Sequence, residues 1–201
     1  MSLDPQDAPD LMEREREQDA FKKRAAIFIA VLAMLLAVTG LGGSNSMKDA
    51  LLGNIEASNA FSFYQAKNMR QTSYELAADE IETIWLNDPS LSEGTRASLR
   101  KKLDEYKMRI ARYESEPATG EGKKELLVRA RELEARRDQA IRKDPYFDYA
   151  QALLQIAIVL ISVAIVADQR WLVAFGGALG ALGTLLMING FLLLVAIPGL
   201  G

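Results

Sequence analysis

Uncharged and charge-dense stretches alternate along this chain. Residues 25–41 read AAIFIAVLAMLLAVTGL, apolar apart from one Thr; residues 150–167 (AQALLQIAIVLISVAIVA) carry no charge, and residues 171–198 are apolar almost throughout. A helix crosses about 30 Å of hydrocarbon with about 20 such residues at 1.5 Å each. The pattern therefore predicts three transmembrane helices, one over 25–43 and two forming a hairpin over 146–201. A polar tail over 1–24 precedes them, and a soluble domain over 44–145 is inserted between the first and second spans. Throughout that domain the apolar positions recur at helical spacing, with no period-two stretch, Gly-rich loop or Asn-Gly hairpin. The expected fold class is all-α: three transmembrane helices with a helical, coiled-coil-like soluble domain between the first two.

Asp88-Pro89-Ser90 and the run Pro117-Ala118-Thr119-Gly120-Glu121-Gly122 are the two break points of the middle region. They separate a long helix over about 47–87 from shorter ones over about 92–115 and 121–143. The second helix carries Leu99, Leu103, Tyr106, Ile110 and Tyr113 at four-three spacing, a narrow coiled-coil seam. The third offers Leu126, Ala130, Leu133 and Ala140, with Arg137 interrupting, and the short turn between them predicts an antiparallel helical hairpin. At 100° per residue the long helix aligns Phe63, Ala66, Tyr74, Ala77, Ile81 and Ile84 on one stripe, interrupted by Arg70. Phe61, Tyr64, Gln65, Lys67 and Asn68 then form a second, interaction face. The bland alternative packs Phe61 and Tyr64 under a loop or on the membrane surface.

The segment Asn59-Ala60-Phe61-Ser62-Phe63-Tyr64-Gln65-Ala66-Lys67-Asn68-Met69-Arg70, followed far downstream by FDYAQALLQIAIVL over 147–160, resembles the family of bacterial membrane proteins catalogued as domain of unknown function 4337. The resemblance spans nearly the whole chain, although this sequence has Ala60 and Phe61 where members often carry Trp. It implies a multi-span protein of the bacterial inner membrane and no established activity.

Composition narrows the chemistry. The chain has no Cys and no His, which removes disulfides, thiol nucleophiles, Cys/His metal sites and imidazole bases. Acidic clusters such as Asp79, Glu80 and Glu82 alternate with bases on helix faces. No Walker A loop, nucleophile elbow or GxGxxG occurs. A protein without enzymatic activity, cofactor, metal or catalytic residue is expected. A net charge of -3 from 24 basic and 27 acidic residues does not suggest nucleic acid as a partner. Lys22, Lys23 and Arg24 abut the first span, which favours a cytoplasmic N-terminus and a periplasmic soluble domain. Arg131, Arg136, Arg137, Arg142 and Lys143 press from the other side but belong to a long segment that crosses largely regardless of charge. A cleaved signal peptide is the lesser alternative, because seven acids precede the apolar run.

Within the spans, Ala26, Ala30, Ala33, Ala37 and Gly40 recur at four-three spacing, as do Gly176, Gly180, Gly183 and Gly190 around Met187. Small residues permit close helix approach where lipid gives little hydrophobic drive. Gln151, Gln155, Ser162 and Asn189 are the candidate polar lining of a path, or bond neighbouring helices. Trp171 at one end of the hairpin and Tyr146, Phe147 and Tyr149 at the other fit interfacial positions. The leading expectation is a membrane-anchored helical scaffold, partnered by the bilayer, by copies of itself in a homo-oligomer and by other membrane proteins. The runner-up is an oligomeric channel or pore lined by the polar residues of the C-terminal spans.

Overall fold

The computed structural model describes residues 8–197. Residues 1–7 of the expected polar tail and 198–201 of the expected hairpin lie outside the described residues. Four helices account for the fold, and no strand occurs among the described residues: α1 (Ala8–Asn87), α2 (Glu93–Glu114), α3 (Lys123–Ala167) and α4 (Arg170–Leu192). Three of them, α1, α3 and α4, are long and apolar enough to cross a membrane. α1 ends at Asn87, where Ser90 donates its backbone N–H to Asp88 Oδ1 at 3.0 Å in an Asx turn. Ser92 then caps α2, accepting from the Thr95 N–H at 3.1 Å.

Two boundaries drawn between span and inserted domain do not interrupt the helices. α1 runs unbroken through Gly40, Gly42, Gly43 and Ser44, and α3 runs through Pro145 to Ala167. Gly lowers helix propensity by about 1 kcal/mol, yet tertiary packing overrides propensity where a partner occupies the space. Pro145 has no N–H for the carbonyl one turn earlier, but Tyr146 and Phe147, which follow it, are both buried and hold the helix on course.

The chain divides into two compact units, Met1–Lys48 with Gln139–Gly201 and Asp49–Asp138. In the first, α3 is the inner element: Ala150, Leu154, Ala157, Ile161 and Ala164 have no exposed surface. Ala25 and Leu32 of α1 join Leu154, Ala157 and Ile161 in its core. Gly183 of α4 comes so close to α3 that a Cβ there would lie 3.1 Å from the Ala150 carbonyl oxygen. The two charged residues at 168–170 meet the start of α1, Gln18 donating to Asp168 at 3.2 Å and Arg170 lying 3.7 Å from Glu17. The turn between α3 and α4 therefore lies beside the residues that precede the first apolar span. Of the aromatics placed at the interface by sequence, Trp171 and Tyr149 are exposed, whereas Tyr146 and Phe147 are buried inside the unit.

In the second unit α1 supplies one continuous seam. Gly53, Ala57, Ala60, Gln71, Ala78 and Ile81 are buried, and Tyr64, Lys67 and Tyr74 are half-buried between them, at strict four-three spacing. The seam of α2 packs on Ala78 and Ile81 through Leu103, Leu99, Tyr106 and Ile110. That of α3 packs on Ala57, Ala60 and Phe61 through Ala130 and Leu133. As numbering rises along α2 and then α3, the partner positions on α1 fall, from Ile81 to Tyr74, Tyr64 and Gly53. Both shorter helices thus run antiparallel to α1, one after the other. This corrects the expected antiparallel hairpin of α2 with α3: each pairs with α1, which is long enough to serve both.

The expected inner stripe of the long helix is corrected as well, since Phe63 and Ile84 on it are exposed. A period of 3.6 and a seven-residue repeat part by about 20° per heptad, so over four heptads the two phasings diverge by about 80°.

Candidate functional site

The Tyr64-Gln65-Ala66-Lys67 segment lies opposite the α2–α3 junction, and the junction explains two of its residues. Lys67 pairs with Glu121 at 3.3 Å and stands 5.6 Å above the Tyr113 ring. Lys123, at the first position of α3, pairs with Glu114 at 3.3 Å and stands 5.9 Å above the Tyr64 ring. Tyr74 stacks on Tyr113 at 5.8 Å and meets the edge of Tyr106 at 5.3 Å, while Arg109 lies 5.5 Å above it. Rings and cations thus alternate where the two shorter helices succeed one another. Each cation over an aromatic face contributes about 0.5–1 kcal/mol when partly exposed. Gln71 sits buried among them, donating to Glu75 at 3.1 Å and Glu114 at 3.3 Å, with its own Oε1 unpaired. Gln71 and Lys123 hold the Glu114 carboxyl below the usual carboxylate range.

The junction itself is built around Glu125. Its carboxylate accepts from the Ser115 hydroxyl at 2.6 Å and the Glu116 N–H at 3.2 Å. Gly122 leaves the room, since a Cβ there would overlap Glu125 Oε2 and the Glu116 nitrogen. The Ser115 hydrogen bond holds the Glu125 carboxyl below its ordinary range. A depressed folded value means stabilisation present above the unfolded pKa of about 4.3 and lost as pH falls through the lower folded value. Amide-exchange protection over 115–122 is therefore expected to decline as pH drops below about 4.3, after correction for intrinsic exchange, and to decline less in Glu125→Gln, where Glu114 keeps its depressed carboxyl. Equal pH dependence in both proteins would refute the role given to Glu125.

Of the sequence-predicted interaction face, Tyr64 and Lys67 are turned into the seam, Phe61 is half-buried against Ala57 and Ala60, and Gln65 and Asn68 are exposed. These five residues therefore do not share one outward face. A groove of about 460 Å³ beside the junction is lined by Lys67, Arg70, Arg109, Arg112 and Tyr113. Most of its charge is neutralised locally, by Glu121 on Lys67, Glu105 on Arg109 and Glu116 on Arg112. Among the described residues no three acidic side chains are grouped to hold a metal ion.

The candidate intramembrane residues fall into different settings. Gly176, Gly180 and Gly183 are buried; a Cβ on Gly176 would meet Ile161, and one on Gly180 would meet Leu32. Ala30, Ala33 and Ala37 have the same spacing but are exposed, because α1 turns its Ala25–Leu32–Thr39 side inward. Gln151 is half-buried, and Gln155 is exposed. Ser162 is exposed and donates to the Ile158 carbonyl at 2.7 Å within its own helix. Asn189 does not bond another helix: its Nδ2 donates to the Val195 carbonyl at 2.8 Å, and its Oδ1 accepts the Val195 N–H at 2.9 Å. Tyr146 completes this clasp, donating to the Val195 carbonyl at 3.2 Å and accepting the Ile197 N–H at 3.0 Å. Sequence reasoning missed Tyr146, whose position at a span end reads as an ordinary interfacial aromatic.

A family model described as Domain of unknown function (DUF4337) matches residues 21–193. No curated protein and no solved structure matches the chain.

Proposed function

Because the chain belongs to the DUF4337 family, whose function is not assigned, we propose its role from its own surfaces: a membrane-anchored helical interaction protein that assembles as a homo-oligomer and scaffolds other membrane components. Three apolar helices hold it in the bacterial inner membrane, with the Lys22-Lys23-Arg24 end cytoplasmic and the inserted coiled-coil-like domain periplasmic. It works without catalysis of its own; acids such as Asp79, Glu80, Asp104 and Glu105 lie on exposed helix faces with no apolar setting to tune them.

The observation that carries this reading is the surface of α1 beyond its apolar span. Leu51, Leu52, Ile55, Phe63, Met69 and Leu76 are all exposed there. Large apolar side chains grouped on one helix mark an interaction surface. The pore alternative rests on Gln155, which is exposed; Asn189, in the last turn of α4, already spends its amide on Val195.

Light scattering of the full chain in mild detergent and in lipid nanodiscs tests the proposal. A particle mass of two or more chains is expected in both, and a monomer in both would refute it.

A further inference from the structure

The uncharged outer face of α1 in the second unit has a spacing of its own. Positions 51, 55, 58, 62, 65, 69, 72 and 76 follow one another by four, three, four, three, and every one is exposed and uncharged. They lie opposite the seam that meets α2 and α3, so α1 carries two seven-residue repeats on opposite sides. The outer one extends over about 38 Å at 1.5 Å per residue. Its large members are Leu51, Ile55, Met69 and Leu76, the last two 73% and 66% exposed. The Ser62 hydroxyl between them is satisfied internally, donating to the Ser58 carbonyl at 2.9 Å, so covering it strands no hydroxyl proton.

We propose that this face pairs with the same face of α1 in a second copy of the chain, the two helices parallel and in register. The proposal rests on the homo-oligomer reading above and specifies its contact. Two arguments select the occupant. Every copy inserts the apolar span of α1 in the same direction, so neighbouring α1 helices run parallel. In a parallel, in-register pair each seam position meets its own duplicate, and a charge there would face a like charge. A self-pairing seam must therefore be uncharged, as this one is in a chain of which 25% of residues are charged. The adjoining row, Leu52, Asn59, Ala66 and Ser73, is also exposed and uncharged, which removes like-charge repulsion at that flank.

The chain has no Cys, so single-cysteine variants report one position at a time. Ile55→Cys and Met69→Cys are made separately in the full chain, with Lys101→Cys on the exposed side of α2 for comparison, and oxidised in native membrane vesicles. Ile55→Cys and Met69→Cys are each expected to give a disulfide-linked product of twice the chain mass, and Lys101→Cys to stay single. Adding Ser62→Glu, at an exposed helical position that does not disturb folding, should abolish both products. If the chain is oligomeric by light scattering but neither position cross-links, the outer-face pairing fails while the homo-oligomer stands. If the product has another mass, the occupant is a different protein and the proposal fails. A monomer without cross-links removes both.

Discussion

Phe147→Ala is expected to lower the stability of the first unit by about 3 kcal/mol, the lower end of the cost of truncating a core Phe. The lower end applies because lipid returns less on burial than water does, leaving packing as the main loss. The ring of Phe147 is 1% exposed and occupies a cradle formed by Gly42 and Gly43 of α1 and Gly190 of α4, with the Phe191 ring edge-on at 4.9 Å. A Cβ at Gly42 would lie 2.5 Å from the Phe147 ring, and one at Gly190 would lie 3.0 Å from it. Gly42→Ala alone should therefore destabilise by overpacking, at about 1–3 kcal/mol. Combining it with Phe147→Leu should recover part of that loss, because the smaller side chain vacates the space the new methyl needs. Thermal unfolding in a fixed detergent reads all three variants. Strict additivity of Gly42→Ala and Phe147→Leu would show that the ring and the glycine are not in contact.

This cradle shows what the sequence could and could not disclose. The three apolar helices, the all-α class, the C-terminal end of α1 and both ends of α2 are legible as runs, periods and turn residues, all local properties. Phe147 was legible only as an aromatic at a span end, because nothing local distinguishes a ring that faces headgroups from one seated on glycines more than a hundred residues earlier. Spacing has the same limit. Ala30, Ala33 and Ala37 repeat as Gly176, Gly180 and Gly183 do, yet the alanines face outward and the glycines face α3. In the second unit the seam of α3 was visible, but its partner was not, since the matching stretch of α1 uses Gly53, Ala57 and Ala60. Such small residues carry little hydropathy signal and gain their role from close approach, as Gly53 does where a Cβ would lie 3.3 Å from the Arg137 Cα. Lys67 and Gln71 obscured the pattern further, being polar residues whose heads are partnered across the junction.

Asn189→Leu should free the segment that follows α4. That helix ends on Leu193 in the left-handed region (φ 49°), its N–H bonded to the Asn189 carbonyl at 2.7 Å. The chain then turns back so that Val195 presents both backbone groups to the Asn189 amide. Beside an apolar helix little water is at hand to replace a lost partner, so irregular backbone persists there only when the protein satisfies it. Leucine preserves the volume but leaves the Val195 N–H without a partner and its carbonyl with Tyr146 alone, at about 1–3 kcal/mol for the stranded group. Tyr146→Phe is milder, about 1 kcal/mol, since Val195 keeps Asn189 and only Ile197 loses its acceptor. The double variant should exceed the sum of the two, because it removes both donors to the one Val195 carbonyl. Amide exchange over 193–197 in detergent or nanodiscs measures the opening, in the order double variant, Asn189→Leu, Tyr146→Phe. The same experiment separates the clasp from a pore: a lining residue would alter ion flux on Asn189→Leu and leave exchange over 193–197 unchanged. Faster exchange without altered flux is the result that the bonding of Asn189 predicts, since an amide closed on Val195 offers little to a permeating ion.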